Sequence, residues 1–218
     1  MLIVVGSWML ACILGAAPYA LWGREFTLSN ALFESVSGFT TTGATVVSNI
    51  EALPHGILFW RASTHWIGGV GIIVFILSVL PSMGGASLVL YRSEMSPAAL
   101  RQFKMRAKEA VRVIASVYVV LTFLETLALM ICGLSLFDAI THSFATIATG
   151  GFSTKNLSVA SFNNPAAEVV IMVFMFIAGM NFGLLFAITI GNFSAIKYSE
   201  VLKYYFFANI IGILIVAF

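Results

Sequence analysis

Charge is scarce in this sequence: Asp, Glu, Lys and Arg together make up 9% of 218 residues, against 60% hydrophobic ones. A soluble domain carries about 25% charged residues. So few charges cannot build a water-facing shell, which excludes a large soluble protein with an apolar core. With a mean hydropathy of +1.02, the composition leaves an all-α integral membrane protein whose main partner is the lipid bilayer.

Cysteine and histidine are scarce too. Cys12 and Cys132 lie inside apolar stretches with no metal-type spacing, so neither a disulfide framework nor a zinc site is indicated. The three histidines, His55, His65 and His142, show no ligand or triad spacing with the acids. Nucleophilic chemistry has no base to work with, and the chain reads as no enzyme, with no organic cofactor. Met1 to Trp22 holds no charge, so the basic segment of a signal peptide is missing, and the stretch is long enough to span a bilayer.

What the sequence has is long apolar runs. Met1–Trp22, Pro54–Leu80, Ala110–Leu134 and Pro165–Ile196 each reach the roughly 20 residues that a helix needs to cross a hydrocarbon core. Val201–Phe218 begins a fifth span without a polar ending, so the chain is expected to be a piece of a longer protein. Two shorter pieces, Leu28–Val47 and Leu136–Ser153, each join about ten helix-like residues to a Thr/Gly-rich stretch. Ten residues cannot cross as a helix. Re-entrant segments follow, and non-helical backbone at membrane depth is tolerated only where it is buried in protein or lines water.

The few basic residues are unevenly placed. Arg92, Arg101, Lys104, Arg106, Lys108 and Arg112 cluster between the second and third spans, and Lys197 and Lys203 follow the fourth. A basic loop between spans marks the cytoplasmic side rather than nucleic-acid binding. Both re-entrant segments then open outward.

The two segments repeat. Moved forward by 108 positions, Leu28–Thr45 falls on Leu136–Ser153, matching Leu28 to Leu136, Ala31 to Ala139, Ser35 to Ser143, Thr41 to Thr149 and Gly43 to Gly151. Each unit starts on the same side of the membrane, so the expected repeats are parallel and share an axis along the membrane normal; inverted repeats would put the loops on opposite faces. The loops read Phe39-Thr40-Thr41-Thr42-Gly43-Ala44-Thr45 and Ile147-Ala148-Thr149-Gly150-Gly151-Phe152-Ser153. A dehydrated monovalent cation needs oxygens from several directions, which carbonyls turned toward an axis supply. Glycine permits the positive-φ backbone this requires, and threonine adds a hydroxyl. Neither loop holds a carboxylate, unlike an acidic-ring divalent filter. The short helices would aim the negative ends of their dipoles into the membrane. Thr41, Thr42, Gly43, Thr149, Gly150 and Gly151 are therefore the candidate ligands for such a cation.

Among polar residues inside apolar segments, Glu34 and His142 occupy equivalent positions. Arg61 and His65, one turn apart, are candidate partners for Glu34, whereas Glu125 has none that can be named. Gly68-Gly69-Val70-Gly71 is expected to permit close helix packing.

Ala31 to Thr45 resembles the first pore loop of the Trk/Ktr/HKT superfamily of potassium transporters, in particular the bacterial Trk-type membrane subunit. Phe137-Asp138-Ala139-Ile140, His142 to Ile147 and Gly150-Gly151-Phe152-Ser153-Thr154 resemble the second pore loop. Trp66 to Ile72 and Leu90-Tyr91-Arg92-Ser93-Glu94-Met95 add matches outside the loops. The resemblance implies tandem parallel helix–pore-loop–helix repeats as in potassium channels, two of an expected four, around one K+ filter. It also implies a homodimer in the bacterial cytoplasmic membrane, docked on a nucleotide-binding, TrkA-like regulatory subunit. The expected units are 1–81 and 110–196, a cytoplasmic basic loop over 82–109, and the start of a third repeat over 197–218. Sodium or ammonium conduction and ion-coupled transport stay open, although Gly43 and Gly151, where sodium-conducting members have serine, favour K+.

Overall fold

The computed structural model describes residues 2–23, 26–79, 97–180, 184–185 and 199–217. It is helical, with no strand among the described residues. The first apolar run forms α1 (Leu2–Gly15) and α2 (Ala17–Trp22), interrupted around Pro18, whose missing N–H breaks the hydrogen-bond ladder. Gly23, at φ 69°, stops α2. Two short helices follow the expected positions: α3 (Leu28–Phe39) and, after two long helices, α6 (Leu136–Ile147). The long ones are α4 (His55–Val79) and α5 (Pro97–Ile131). α7 (Pro165–Ala178) and α8 (Glu200–Ala217) complete the described chain.

Helix ends follow from local chemistry. The Thr27 hydroxyl accepts from the Asn30 N–H (3.3 Å), and that of Ser135 accepts from Asp138 N–H (3.1 Å), so α3 and α6 start with the same side-chain cap. α7 starts at Pro165, with the Asn164 side chain accepting from Ala166 and Ala167 N–H. Each short helix has 12 residues, or about 18 Å, well under a hydrocarbon core of roughly 30 Å.

One boundary differs from the sequence reading. α5 starts at Pro97 rather than Ala110: proline suits a first helical turn, and charged residues such as Arg101 and Lys104 are good helix formers although they read as a loop. The fourth apolar run is described as a helix only to Ala178. Its remainder, with Arg92, Lys197, Pro81 and the Leu90–Met95 match, lies mostly outside the described residues.

α4 is the element on which the site is assembled. A Cβ on Gly68 would run into the Phe39 backbone at the end of α3. One on Gly69 would lie 3.1 Å from Ala148 Cα at the end of α6 and against the Tyr118 hydroxyl. Gly71 leaves room for the Trp8 ring. The glycine cluster thus seats both short helices and α1 against one helix, as small residues do where helices pack closely in lipid. Trp60 Nε1 donates to the Gly15 carbonyl (3.0 Å), and the Ser35 hydroxyl donates to the Cys12 carbonyl (2.6 Å), tying α1 to α4 and α3.

Candidate functional site

Both short helices end in the same way. After α3, Thr41 N–H donates to Gly38 O (3.0 Å) and Thr42 N–H to Ser37 O (2.9 Å). After α6, Thr149 N–H donates to Thr146 O (2.9 Å) and Gly150 N–H to Ala145 O (2.8 Å). This paired pattern closes a helix around one left-handed residue, ordinarily glycine. α5 ends on the ordinary version, with Gly133 at φ 94° and Leu134 N–H on Leu129 O. Here the left-handed residues are threonines: Thr41 at φ 54° and Thr149 at φ 53°. A β-branched residue is an outlier there, at about 1–2 kcal/mol. Such strain clusters at functional sites.

Two residues on, the backbone turns again, with Gly43 at φ 78° and Gly151 at φ 86°. The six candidate ligands therefore share one backbone course, and the loops adjoin: a Cβ on Gly43 would collide with the Gly150 carbonyl. Thr42, Thr149 and Gly151 are exposed, Thr41 and Gly43 partly so, and Gly150 is buried. The equivalents Thr42 and Gly150 differ. Thr42 Oγ1 lies 2.8 Å from Thr40 Oγ1. At Gly150 the place of a side chain is taken by the His65 ring.

Behind the loops sits the one ion pair among the described residues. Arg61 Nε donates to Glu34 Oε2 (3.2 Å), and both side chains are buried. Glu34 Oε1 accepts from the Val46 N–H (2.8 Å) and from the Thr45 hydroxyl. In the second loop the equivalent pair is His142 and Ser153, joined at 2.9 Å. His65 does not reach Glu34 as expected: it stacks on Phe152 with ring centroids 4.0 Å apart. Both carboxyl oxygens of the buried Glu125 lack a hydrogen-bond partner among the described residues.

At the start of α6, Asp138 accepts from the Thr154 hydroxyl (2.7 Å) and the Ser135 hydroxyl (2.7 Å). Partial burial works to raise its carboxyl, but these donors, with Lys155 nearby, outweigh burial and hold it below the ordinary carboxylate value. Asn156 ties together the two linkers that follow the loops. Its Oδ1 accepts from Ile50 N–H (2.7 Å), its Nδ2 donates to Asn49 Oδ1 (3.0 Å), and its N–H donates to Glu51 Oε1 (3.2 Å). Sequence reasoning missed Asn156 and the reach of Arg61 into the second loop, because nothing in local spacing marks either.

Residues 1–213 match the TrkH family, described as cation transport protein. The chain belongs to this family. It is 44% identical over 194 residues to the Trk system potassium uptake protein TrkH of Escherichia coli (strain K12), covering 88% of this chain and 40% of that protein. To the protein of the same name from Halomonas elongata it is 39% identical over 188 residues, 85% of this chain and 39% of the relative. Its fold superposes on the crystal structure of the potassium transporter TrkH from Vibrio parahaemolyticus with a TM-score of 0.84 at 33% identity, over 98% of this chain and 43% of that one. The chain thus spans about two fifths of the length of the curated relatives it matches. As a member of the TrkH family it is a membrane protein. Two described segments, Val5–Trp22 and Val111–Ile131, are long and apolar enough to cross a bilayer.

Proposed function

We propose that this chain builds two of four parallel helix–pore-loop–helix units of a potassium-uptake pore. Carbonyl and hydroxyl oxygens of Thr41, Thr42, Gly43, Thr149, Gly150 and Gly151 replace the water shell of K+. The observation that carries the reading is the pair of adjoining loops with left-handed Thr41 and Thr149 and positive-φ Gly43 and Gly151 at matching places. A turn that merely linked two helices would use glycine at the strained position, as Gly133 does.

The chemistry follows from the residues. In this reading the carbonyl oxygens of the two loops face a common line, and the exposed edges at Thr42, Thr149 and Gly151 are open to an axis shared with two further units. Neither loop carries a carboxylate, so a monovalent ion is not trapped. The C-terminal ends of α3 and α6 add negative potential for a cation beneath the loops.

In this reading 1–81 and 110–196 are the two repeat units, 82–109 faces the cytoplasm, and 197–218 opens a third. The basic residues from Arg92 to Arg112 form the face on which a TrkA-like regulatory subunit docks, and the pore subunits pair as a homodimer in the bacterial cytoplasmic membrane. Support for potassium comes from relatives named as potassium uptake proteins and from glycine, not serine, at 43 and 151.

The test is flux. The full-length protein in liposomes is expected to accumulate K+ or Rb+ down an imposed gradient, with Na+ and ammonium competing weakly. Rb+ uptake no greater than in empty liposomes, or equal Na+ and K+ fluxes, would overturn the proposal.

A further inference from the structure

Arg61 is almost wholly enclosed, at 1% exposure, and its partner Glu34 is at 0%. Its planar head spends three nitrogens on three acceptors. Nε goes to Glu34 Oε2, Nη2 to Thr45 Oγ1 and Nη1 to the Ser153 carbonyl, each at 3.2 Å. The first two belong to the first loop and its helix; the third is main chain of the second loop. The guanidinium also lies 4.1 Å from the centroid of Phe152, the residue after Gly151.

The second unit shows no such device among the described residues. Its helix α7 carries no arginine or lysine among Pro165–Ala178, and the position matching Glu34 is His142. His142 Nδ1 lies 2.8 Å from the Asp138 carbonyl, which can only accept, so Nδ1 carries the proton and Nε2 accepts from the Ser153 hydroxyl. Ser153 is therefore held twice: its hydroxyl by its own helix, its carbonyl by Arg61 from the other unit.

Stability does not account for this arrangement. Burying an ion pair removes two charges from water, and apolar residues of similar volume often stabilise as well or better. A rigid fork of donors adds something apolar packing lacks, a fixed distance between two backbones. We infer that Arg61 is a positioning residue for ion selection, bracing the first loop, through Glu34 and Thr45, against the second, through the Ser153 carbonyl and the Phe152 ring. It thereby sets the spacing at which Gly43 meets Gly150. The inference rests on the loops forming a cation filter.

The test compares full-length wild-type protein with Arg61→Lys and with the double variant Glu34→Gln/Arg61→Gln. Lysine keeps the charge beside Glu34 but offers a point donor that cannot hold three acceptors. Two readouts are taken: the Rb+ to Na+ flux ratio in liposomes, and the rise in melting temperature on adding K+ as against Na+. Both variants are expected to lose about tenfold in the flux ratio, equivalent to roughly one charge-assisted hydrogen bond, and to lose the preferential K+ shift. The Rb+ flux of Arg61→Lys persists. If a variant fails to fold, the other decides. A variant that melts like wild type and keeps the wild-type flux ratio overturns the role of Arg61. A wild-type protein that does not discriminate overturns the filter itself, so the two failures are distinguishable.

Discussion

A Cβ on Gly43 would lie 3.1 Å from the carbonyl carbon of Gly150 and nearer still to its oxygen, so the two loops touch where a side chain would otherwise stand. Gly151, the repeat-related partner of Gly43, meets nothing within 4 Å, although its φ of 86° is also positive. The two glycines thus serve different needs. Gly43→Ala is expected to combine about 1–2 kcal/mol of backbone strain with a collision, whereas Gly151→Ala meets the strain alone. Rb+ uptake should fall further for Gly43→Ala than for Gly151→Ala, with a lower melting temperature in detergent. Equal losses would show that the contact with Gly150 does not matter.

Thr41 and Thr149 occupy left-handed positions that close α3 and α6. Replacing either with glycine relieves about 1 kcal/mol of strain while removing a hydroxyl. Thr41→Gly and Thr149→Gly should therefore melt no lower than wild type yet discriminate less between K+ and Na+. Comparing thermal unfolding with Rb+ to Na+ flux checks this, and a variant that is more stable and equally selective would count against a ligand role.

Two buried glutamates behave oppositely. Glu34→Gln leaves Arg61 enclosed without a counter-charge and should cost about 3 kcal/mol or more. Glu125→Met removes a carboxyl with no described hydrogen-bond partner and should leave stability unchanged or higher. Thermal melts of the two variants in one detergent decide the matter.

Asp138 stands at the head of α6, outside the spanning helices, with its carboxyl held below the ordinary value. Because the folded protein binds that proton less readily than the unfolded chain, the carboxylate stabilises the fold above the ordinary carboxylate pKa. That contribution fades as the pH falls through the depressed folded value. Between about pH 5 and about pH 3, wild type should therefore lose more stability than Asp138→Asn. Parallel slopes in denaturation across that range would refute it.

Much of this arrangement can be read from residues. The lengths of Leu28–Phe39 and Leu136–Ile147, too short to span, and the Thr/Gly stretches after them place both loops, and Glu34 facing Arg61 is foreshadowed by their setting in apolar segments. Hydrophobic pattern and hydroxyl caps are local signals. Contacts across the fold are not. Nothing near Arg61 in the chain announces the Ser153 carbonyl, and His65 meets Phe152 because α4 passes behind the second loop. The strain at Thr41 and Thr149 is equally silent, since threonine in such a loop gives no sign of its φ. The start of α5 at Pro97 was obscured by a basic stretch that reads as a solvated loop.

The glycines of α4 have a mechanical corollary. Gly68 bears on the end of α3 and Gly69 on the end of α6, while Arg61, two turns earlier on the same helix, grips both loops. A displacement of α4 would therefore bear on both loops at once, which makes that helix their common support.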